Sequence, residues 1–514
     1  LSTADITDQH LGPLAAEVDE ILAELGDHES VDRLWRKDHT LWSSDPTEIA
    51  DRLGWLDSPS EMVGALEEID GFVRSLAADA ITDVIVMGMG GSSLFPEVIA
   101  RSFPPSSIKV SVLDSTDPAA VARVAVADPQ TTAYLVSSKS GSTIETRSHL
   151  EFFWDRVGRG ERFAAITDPG SELGALARER GFRHVFENRP DIGGRYSALS
   201  YFGLVPAAVA GVDWPRLLAS AVEVSGRLRS NDPARNTGLQ LGAILAAGVR
   251  TGRDKLTLLI DPRIASFGLW LEQLVAESTG KSGTGVVPVV DEAPAPVDRY
   301  GDDRLFVAVG HPDHGARLDA LREAGHPVIS LAFEDLHDLG AQVLVWEVAT
   351  AVCAMALGIN PFDQPNVAEA KAATNEVLAS GPLPIPQSSL AEVLGSVQAG
   401  DYLAICAFVD PAGPEVDQLE AIRSILGERF AVATTFGLGP RFLHSTGQLH
   451  KGGPPSGVFL QVVGDDPSDA PIAGRDLTFS QLKRAQADGD LLTLANRGLR
   501  AARATTAEIL AYLA

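Results

Sequence analysis

Short apolar blocks recur along the chain, each followed by a glycine- or serine-rich turn and then a stretch with apolar positions three and four apart. Residues 84–87, 110–113, 133–136, 163–166 and 184–186 form one series; 256–260, 285–290, 305–309 and 327–331 form a second; 402–409, 430–435 and 458–463 form a third. A brief apolar run bounded by turn residues predicts a buried strand, and the longer spacing predicts a helix, as at 143–154, 267–278 and 415–426. Strands alternating with helices predict parallel sheets covered on both faces, hence an α/β fold of doubly wound lobes. Residues 1–78 read differently: 14–25 and 49–56 have helix-like spacing around an Asp45-Pro46 turn, so this N-terminal segment is expected to be helical. The expected division is 1–78, a first lobe at 79–215, a second at 216–380, a proline-rich linker at 381–386 and a C-terminal α/β unit at 388–514.

Composition narrows the class. The 514 residues are 45% apolar and 22% charged, as in a globular protein with a large core. A net charge of −27 argues against a nucleic-acid partner, which needs a basic footprint. The run at 343–359 is interrupted by Glu347 and is short for a span, so it reads as a buried helix and no membrane partner is expected. Cys353 and Cys406 sit in apolar runs and read as buried thiols; with no secretory signal at the start, a cytoplasmic location is expected. The first residue is Leu1 rather than Met, which reads as a piece of a longer chain.

Two loops carry candidate anion chemistry. Ser137-Ser138-Lys139-Ser140-Gly141-Ser142-Thr143 follows a strand and opens a helix, bringing hydroxyls, a lysine and the positive end of a helix together. It is not a P-loop, which needs Gly-Lys-Ser/Thr at the helix start, and an ordinary serine-rich turn would look the same. Gly88-Met89-Gly90-Gly91-Ser92-Ser93 invites a dinucleotide reading, with Asp114 as the ribose-binding acid, but Ser93 replaces the third glycine. The better reading is a second contact to the same small anion from Gly91 and Ser92.

The acid–base candidates are scattered. Glu277 lies at the end of a helix, where the macrodipole disfavours negative charge and would raise its pKa; a solvated glutamate is the alternative. Arg195 lies beside two glycines that permit close backbone approach. Gln364 and Lys371 are seven apart on one helix face. His444 and His450 evoke zinc, yet no cysteine cluster or His-Glu-x-x-His accompanies them, so no metal and no cofactor are expected.

Taken in order, five motifs resemble the phosphoglucose isomerase family: the glycine loop at 88–93, Ser-Lys-Ser-Gly-Ser-Thr-Ile-Glu-Thr at 138–146, Gly-Gly-Arg-Tyr-Ser at 193–197, Glu-Ser-Thr-Gly-Lys at 277–281, and the Phe-Asp-Gln stretch at 360–371. The N- and C-terminal parts look most like the isomerase half of bifunctional transaldolase/glucose-6-phosphate isomerases. The resemblance implies two sugar-isomerase (SIS-type) lobes plus the C-terminal α/β unit, and a sugar-phosphate substrate. It also implies Glu277 as base, Arg195 against an enediolate, and Gly91, Ser92, Ser138, Lys139, Ser140 and Thr143 on the phosphate. Gln364 and Lys371 would lie near the ring oxygen and C1. The ring-opening histidine is out of place. The family has it between the Glu-Ser-x-Gly-Lys and Phe-Asp-Gln motifs; here Leu-His-Ser-Thr-Gly-Gln stands at 443–448. The expectation is that this segment has been relocated and folds back into the site with His444, with His337 as the second candidate. A homodimer is left open. A regulatory sugar-phosphate-binding module and a nicotinamide-dependent enzyme are the competing readings.

Overall fold

The computed structural model describes residues 3–310, 315–381, 384–385 and 388–514; the expected linker at 381–386 thus lies partly outside the described residues. The strands are β1 (Ile6–His10), β2 (Asp83–Met87), β3 (Lys109–Leu113), β4 (Thr132–Ser137), β5 (Phe163–Thr167), β6 (His184–Glu187) and β7 (Lys255–Ile260). They continue with β8 (Val287–Val289), β9 (Arg304–Val309), β10 (Val328–Leu331), β11 (Tyr402–Phe408), β12 (Ala433–Leu438), β13 (Gly457–Val463) and β14 (Arg500–Arg503). They form three sheets, ordered β3-β2-β4-β5-β6, β1-β10-β9-β7-β8 and β12-β11-β13-β14. Every pairing is parallel except β1 on β10. In each parallel set the first strand lies inside and the chain winds outward both ways, the doubly wound pattern.

The N-terminal segment departs from expectation. It opens with a strand, β1, which adds antiparallel to the edge of the second sheet. Its sequence, ITDQH, has no strand alternation and is mostly exposed, so only pairing with β10 makes it a strand. Residues 49–56 are not an α-helix: they are turns ending in a 3₁₀ turn, Gly54–Leu56. The strand expected at 430–435 starts at Ala433, because the preceding helix Pro414–Phe430 runs on and stops at Ala431 in the left-handed region. The expected 215/216 boundary falls inside one helix, Trp214–Arg227, which packs against Leu339–Leu357 of the second lobe. The helix Pro365–Ser380, expected to close the second lobe, packs instead on Phe479–Asn496 of the C-terminal unit.

The helix Leu339–Leu357 takes in most of the apolar run at 343–359; the stretch Leu336–Leu357 has the length and apolarity of a membrane span but is enclosed by protein, the helix packing against Trp214–Arg227, Thr237–Arg250 and Phe267–Thr279. Burial raises the Glu347 pKa far above the usual carboxylate range. The C-terminal unit is fastened by apolar contact on two sides. Ile472, Phe479 and Leu482 join one face of the first sheet. Phe442, Leu443 and Leu449 pack with Ala276, Val287 and Val289 of the second lobe. Each fully buried side chain of this size contributes about 1.5–3 kcal/mol.

Candidate functional site

In the first sheet the winding reverses between β2 and β4, and the loops leaving their carboxyl ends diverge there. Such a crevice is where open α/β sheets hold ligands. It opens into a cavity of about 460 Å³ lined by Gly91, Ser92, Ser138, Lys139, Ser140, Thr143, Arg195, Glu277, Gln364, Lys371 and His444. The cradle loop folds on itself: Ser138 Oγ accepts from the Gly141 N–H at 3.1 Å, and the Ser140 and Ser142 hydroxyls are 2.9 Å apart. Thr143 then takes the N-cap position of the helix Ile144–Val157, whose first-turn N–H groups leave a partial positive charge at the loop. Lys139 differs from the simplest picture. Its amine binds the Asp168 carboxylate at 2.5 Å and the Pro190 carbonyl at 2.7 Å, so its charge is already matched. Gly91 explains how closely the parts meet. A Cβ there would lie 1.9 Å from the Gly194 carbonyl oxygen, so only glycine lets the Arg195 loop seat against the glycine loop.

Glu277, near the end of the helix Phe267–Thr279, is buried rather than solvated. Its Oε1 is 2.9 Å from Nη1 of Arg195, itself 3% exposed. Arg195 is fixed by the loop at 360–364: its Nη2 donates to the Pro361 and Asp363 carbonyls, both at 2.8 Å, and its Nη1 to Gln364 Oε1 at 3.0 Å. Lys281 holds the same loop from below through the Asn360 carbonyl (2.5 Å) and the Asp363 carboxylate (2.7 Å). Burial, with the neighbouring Arg195 charge, pushes the Lys281 amine down to about 7.

The C-terminal unit delivers His444 into this cavity. A 3₁₀ turn, Arg441–His444, follows β12. Arg441 makes a two-pronged pair with Asp114 at the end of β3 (2.7 and 2.9 Å), so Asp114 anchors this segment instead of standing free for a ribose. Gln273, one turn before Glu277, donates from Nε2 to Glu277 Oε2 at 3.1 Å and to the His444 carbonyl at 2.8 Å, tying the two candidates together. Gly90, at φ +56, leaves room for that carbonyl, which would be 2.9 Å from a Cβ. Gln448 adds a further clasp, donating to the Gly280 carbonyl at 3.0 Å and to Asn366 Oδ1 at 2.6 Å.

His444 Nε2 lies 2.9 Å from Oε1 of Glu145, a residue to which the sequence reading assigned no role although it stands inside the quoted cradle motif. Burial works to raise the Glu145 pKa, but the His444 ring and its hydrogen bond overcome this and hold it below the usual range. Gln273 is the other omission; its spacing of four from Glu277 put it on the same helix face. Lys371 lines the cavity and also a neighbouring chamber of about 190 Å³ behind His444. His337 is elsewhere, bound through Nδ1 to Asp335 at 2.6 Å with its edge on Phe103. His450 points away from His444 into a core, 4.0 Å from Cys406 Sγ, and burial pushes it down to about 3. Among the described residues no group of three His, Cys, Asp or Glu is placed to hold a metal.

Several known proteins resemble this chain. The family model described as phosphoglucose isomerase matches residues 60–302. The glucose-6-phosphate isomerase of Synechococcus elongatus is 29% identical over 474 residues, covering 81% of this chain and 87% of its own. That of a Nostoc species is 33% identical over 258 residues, covering 44% and 48%. Among solved structures, a hypothetical protein from Thermus thermophilus superposes with a TM-score of 0.61 at 25% identity, over 73% of this chain and all of that one. A glucose-6-phosphate isomerase from Chlamydia trachomatis shares the fold with a TM-score of 0.60 at 19% identity, over 70% and 86%. The family model stops before Gln364, Lys371 and His444, whose assignment rests on the cavity. The glycine loop, cradle, Arg195 and Glu277 all lie inside the stretch that matches the phosphoglucose isomerase family model, and the chain is similar to glucose-6-phosphate isomerases in sequence and fold.

Proposed function

We propose that this aldose–ketose isomerase interconverts glucose 6-phosphate and fructose 6-phosphate, using Glu277 as the base that carries a proton between C2 and C1. The observation that carries the reading is the juxtaposition of Glu277, Arg195 and His444 around one cavity beside a hydroxyl-rich phosphate cradle. The phosphate is held by Gly91, Ser92, Ser138, Ser140 and Thr143 and the adjoining helix terminus, with Lys139 contributing through its backbone more than its paired amine. His444 opens the ring by taking the C1 hydroxyl proton and passing it to the ring oxygen as the bond between C1 and that oxygen breaks, and Lys371 and Gln364 lie near that oxygen and C1. Glu277 then removes the C2 proton while the C1 carbonyl electrons move onto O1, giving a cis-enediolate. The O2 proton then passes to O1, and return of the Glu277 proton to C1 as the C2 carbonyl forms completes the ketose. Arg195, rigid and largely dry, offsets the enediolate charge without reorganising.

In this reading residues 79–215 supply the cradle, 216–380 the base and 388–514 the histidine. All three lie on one chain. Two buried free thiols suit a reducing cytoplasm.

The test separates the two proton steps. Glu277→Gln should lower isomerisation by about 10²–10⁴-fold, measured by a coupled assay, while leaving enzyme-catalysed exchange between the sugar's α and β anomers, which needs only ring opening. His444→Ala should slow anomer exchange and turnover of the cyclic sugar while sparing an open-chain substrate. Full isomerase activity in Glu277→Gln would overturn the assignment.

A further inference from the structure

The hydrogen-bonded chain behind His444 does not end at Glu145. Gln486, on the helix Phe479–Asn496 of the C-terminal unit, donates from Nε2 to Glu145 Oε1 at 2.6 Å. Its own Oε1 lies 2.7 Å from the Thr116 hydroxyl, beyond β3 in the first lobe. Thr116, Gln486 and Glu145 are 0%, 2% and 3% exposed. We propose that Gln486, held by Thr116, is a positioning residue that keeps Glu145 ionised and His444 in the tautomer with hydrogen on Nε2, so that Nδ1 is the nitrogen offered to the sugar.

The argument is one of donors and acceptors. A threonine hydroxyl pointing at the amide oxygen turns the amide NH₂ toward Glu145, and a carboxylate receiving that NH₂ accepts. Glu145 Oε1 accepts from His444 Nε2 as well, so that nitrogen carries the hydrogen and, in a neutral ring, Nδ1 is the bare one. The opposite arrangement, with the amide flipped, requires a protonated Glu145. That is opposed by its place in the first turn of a helix, which favours the anion, and by the Lys371 charge nearby. The span also explains why a polar trio is buried where the C-terminal unit meets the first sheet: it couples docking of that unit to the protonation of the histidine it carries.

This rests on the reading of His444 as the ring-opening group, so the experiment has one arm that does not. The full chain labelled with ¹⁵N-histidine, with His444→Gln identifying the resonance, should show His444 protonated at Nε2 and unprotonated at Nδ1 near neutral pH. A protonated Nδ1 overturns the proposal whatever the enzyme's activity. The second arm is the pH profile of catalysed anomer exchange. Gln486→Met removes the donor to Glu145 and should move the acid limb upward by about one pH unit, lowering kcat with KM little changed. Thr116→Val, which deletes one hydroxyl, should move it the same way by less, and decides the matter if Gln486→Met fails to fold. Unshifted profiles in folded variants overturn the positioning role. Absence of anomer exchange in the unaltered protein would instead overturn the functional reading and leave the tautomer measurement standing.

Discussion

At the carboxyl ends of β2 and β4 the first sheet leaves a cavity of about 460 Å³ walled by hydroxyls. At the matching place in the third sheet, between β11 and β13, the space is filled. Lys483, 1% exposed, binds Asp117 of the first lobe at 2.9 Å, Asp466, and the Gly464 carbonyl that follows β13. Arg123 of the first lobe reaches Asp410 just after β11. Both sheets wind the same way and so both create a crevice; whether it holds a ligand or a joint depends on whether the protein supplies the countercharge itself. The joint bears on the proposed site, because His444 is carried on the loop after β12 of the same sheet.

Breaking the joint should have the largest effect. Lys483→Met leaves Asp117 buried without its cation and should destabilise the chain by about 3–5 kcal/mol, read as an earlier urea transition with loss of anomer exchange. Closing the other crevice comes next. Gly91→Ala drives a methyl into the Gly194 carbonyl and displaces Arg195, and a shift of about 1 Å is worth about 100-fold in kcat/KM. A smaller, pH-dependent effect sharpens the comparison. Glu272 borders a cavity of about 300 Å³ between the Glu277 helix and the C-terminal unit. Burial, against the partial relief of Arg423 and with Asp291 adding to it, pushes its carboxyl up to about 8. The folded chain keeps this acid neutral where an unfolded chain would ionise it. The cost therefore grows between pH 4.5 and 8 and is level above. Glu272→Gln should leave Tm unchanged below that window and raise it by about 1–2 °C at its top. The smallest effect belongs to Arg123→Ala, whose pair is partly open to water: about 0–1 kcal/mol, shrinking with salt.

The strands of the first two lobes were legible because they are buried on both faces and therefore read as continuous apolar runs, as at β2, β4 and β9. What escaped was structure created by a partner. ITDQH becomes β1 only against β10, and the four residues of β14 carry too little pattern to announce a strand. At the site, the cradle, Arg195, Glu277 and Lys371 were visible as motifs, and His444 by its Leu-His-Ser-Thr-Gly-Gln neighbourhood. Gln486 and Thr116 were invisible: they lie 370 residues apart, and nothing local marks a glutamine that faces a carboxylate contributed by another lobe. Lys139 was legible as a cation but not as a neutralised one, since Asp168 comes from the loop after the neighbouring strand.

The antiparallel β1 has a bearing on solubility. The outer side of β10 would otherwise present a row of unpaired amide and carbonyl groups, a template on which another chain can add a strand and begin to aggregate. By laying Ile6–His10 along that row, the protein uses five residues, four of them polar and three exposed, to block self-association at one rim of its second sheet. Trimming the chain as far as Leu11 would leave the cavity untouched and make the molecule sticky.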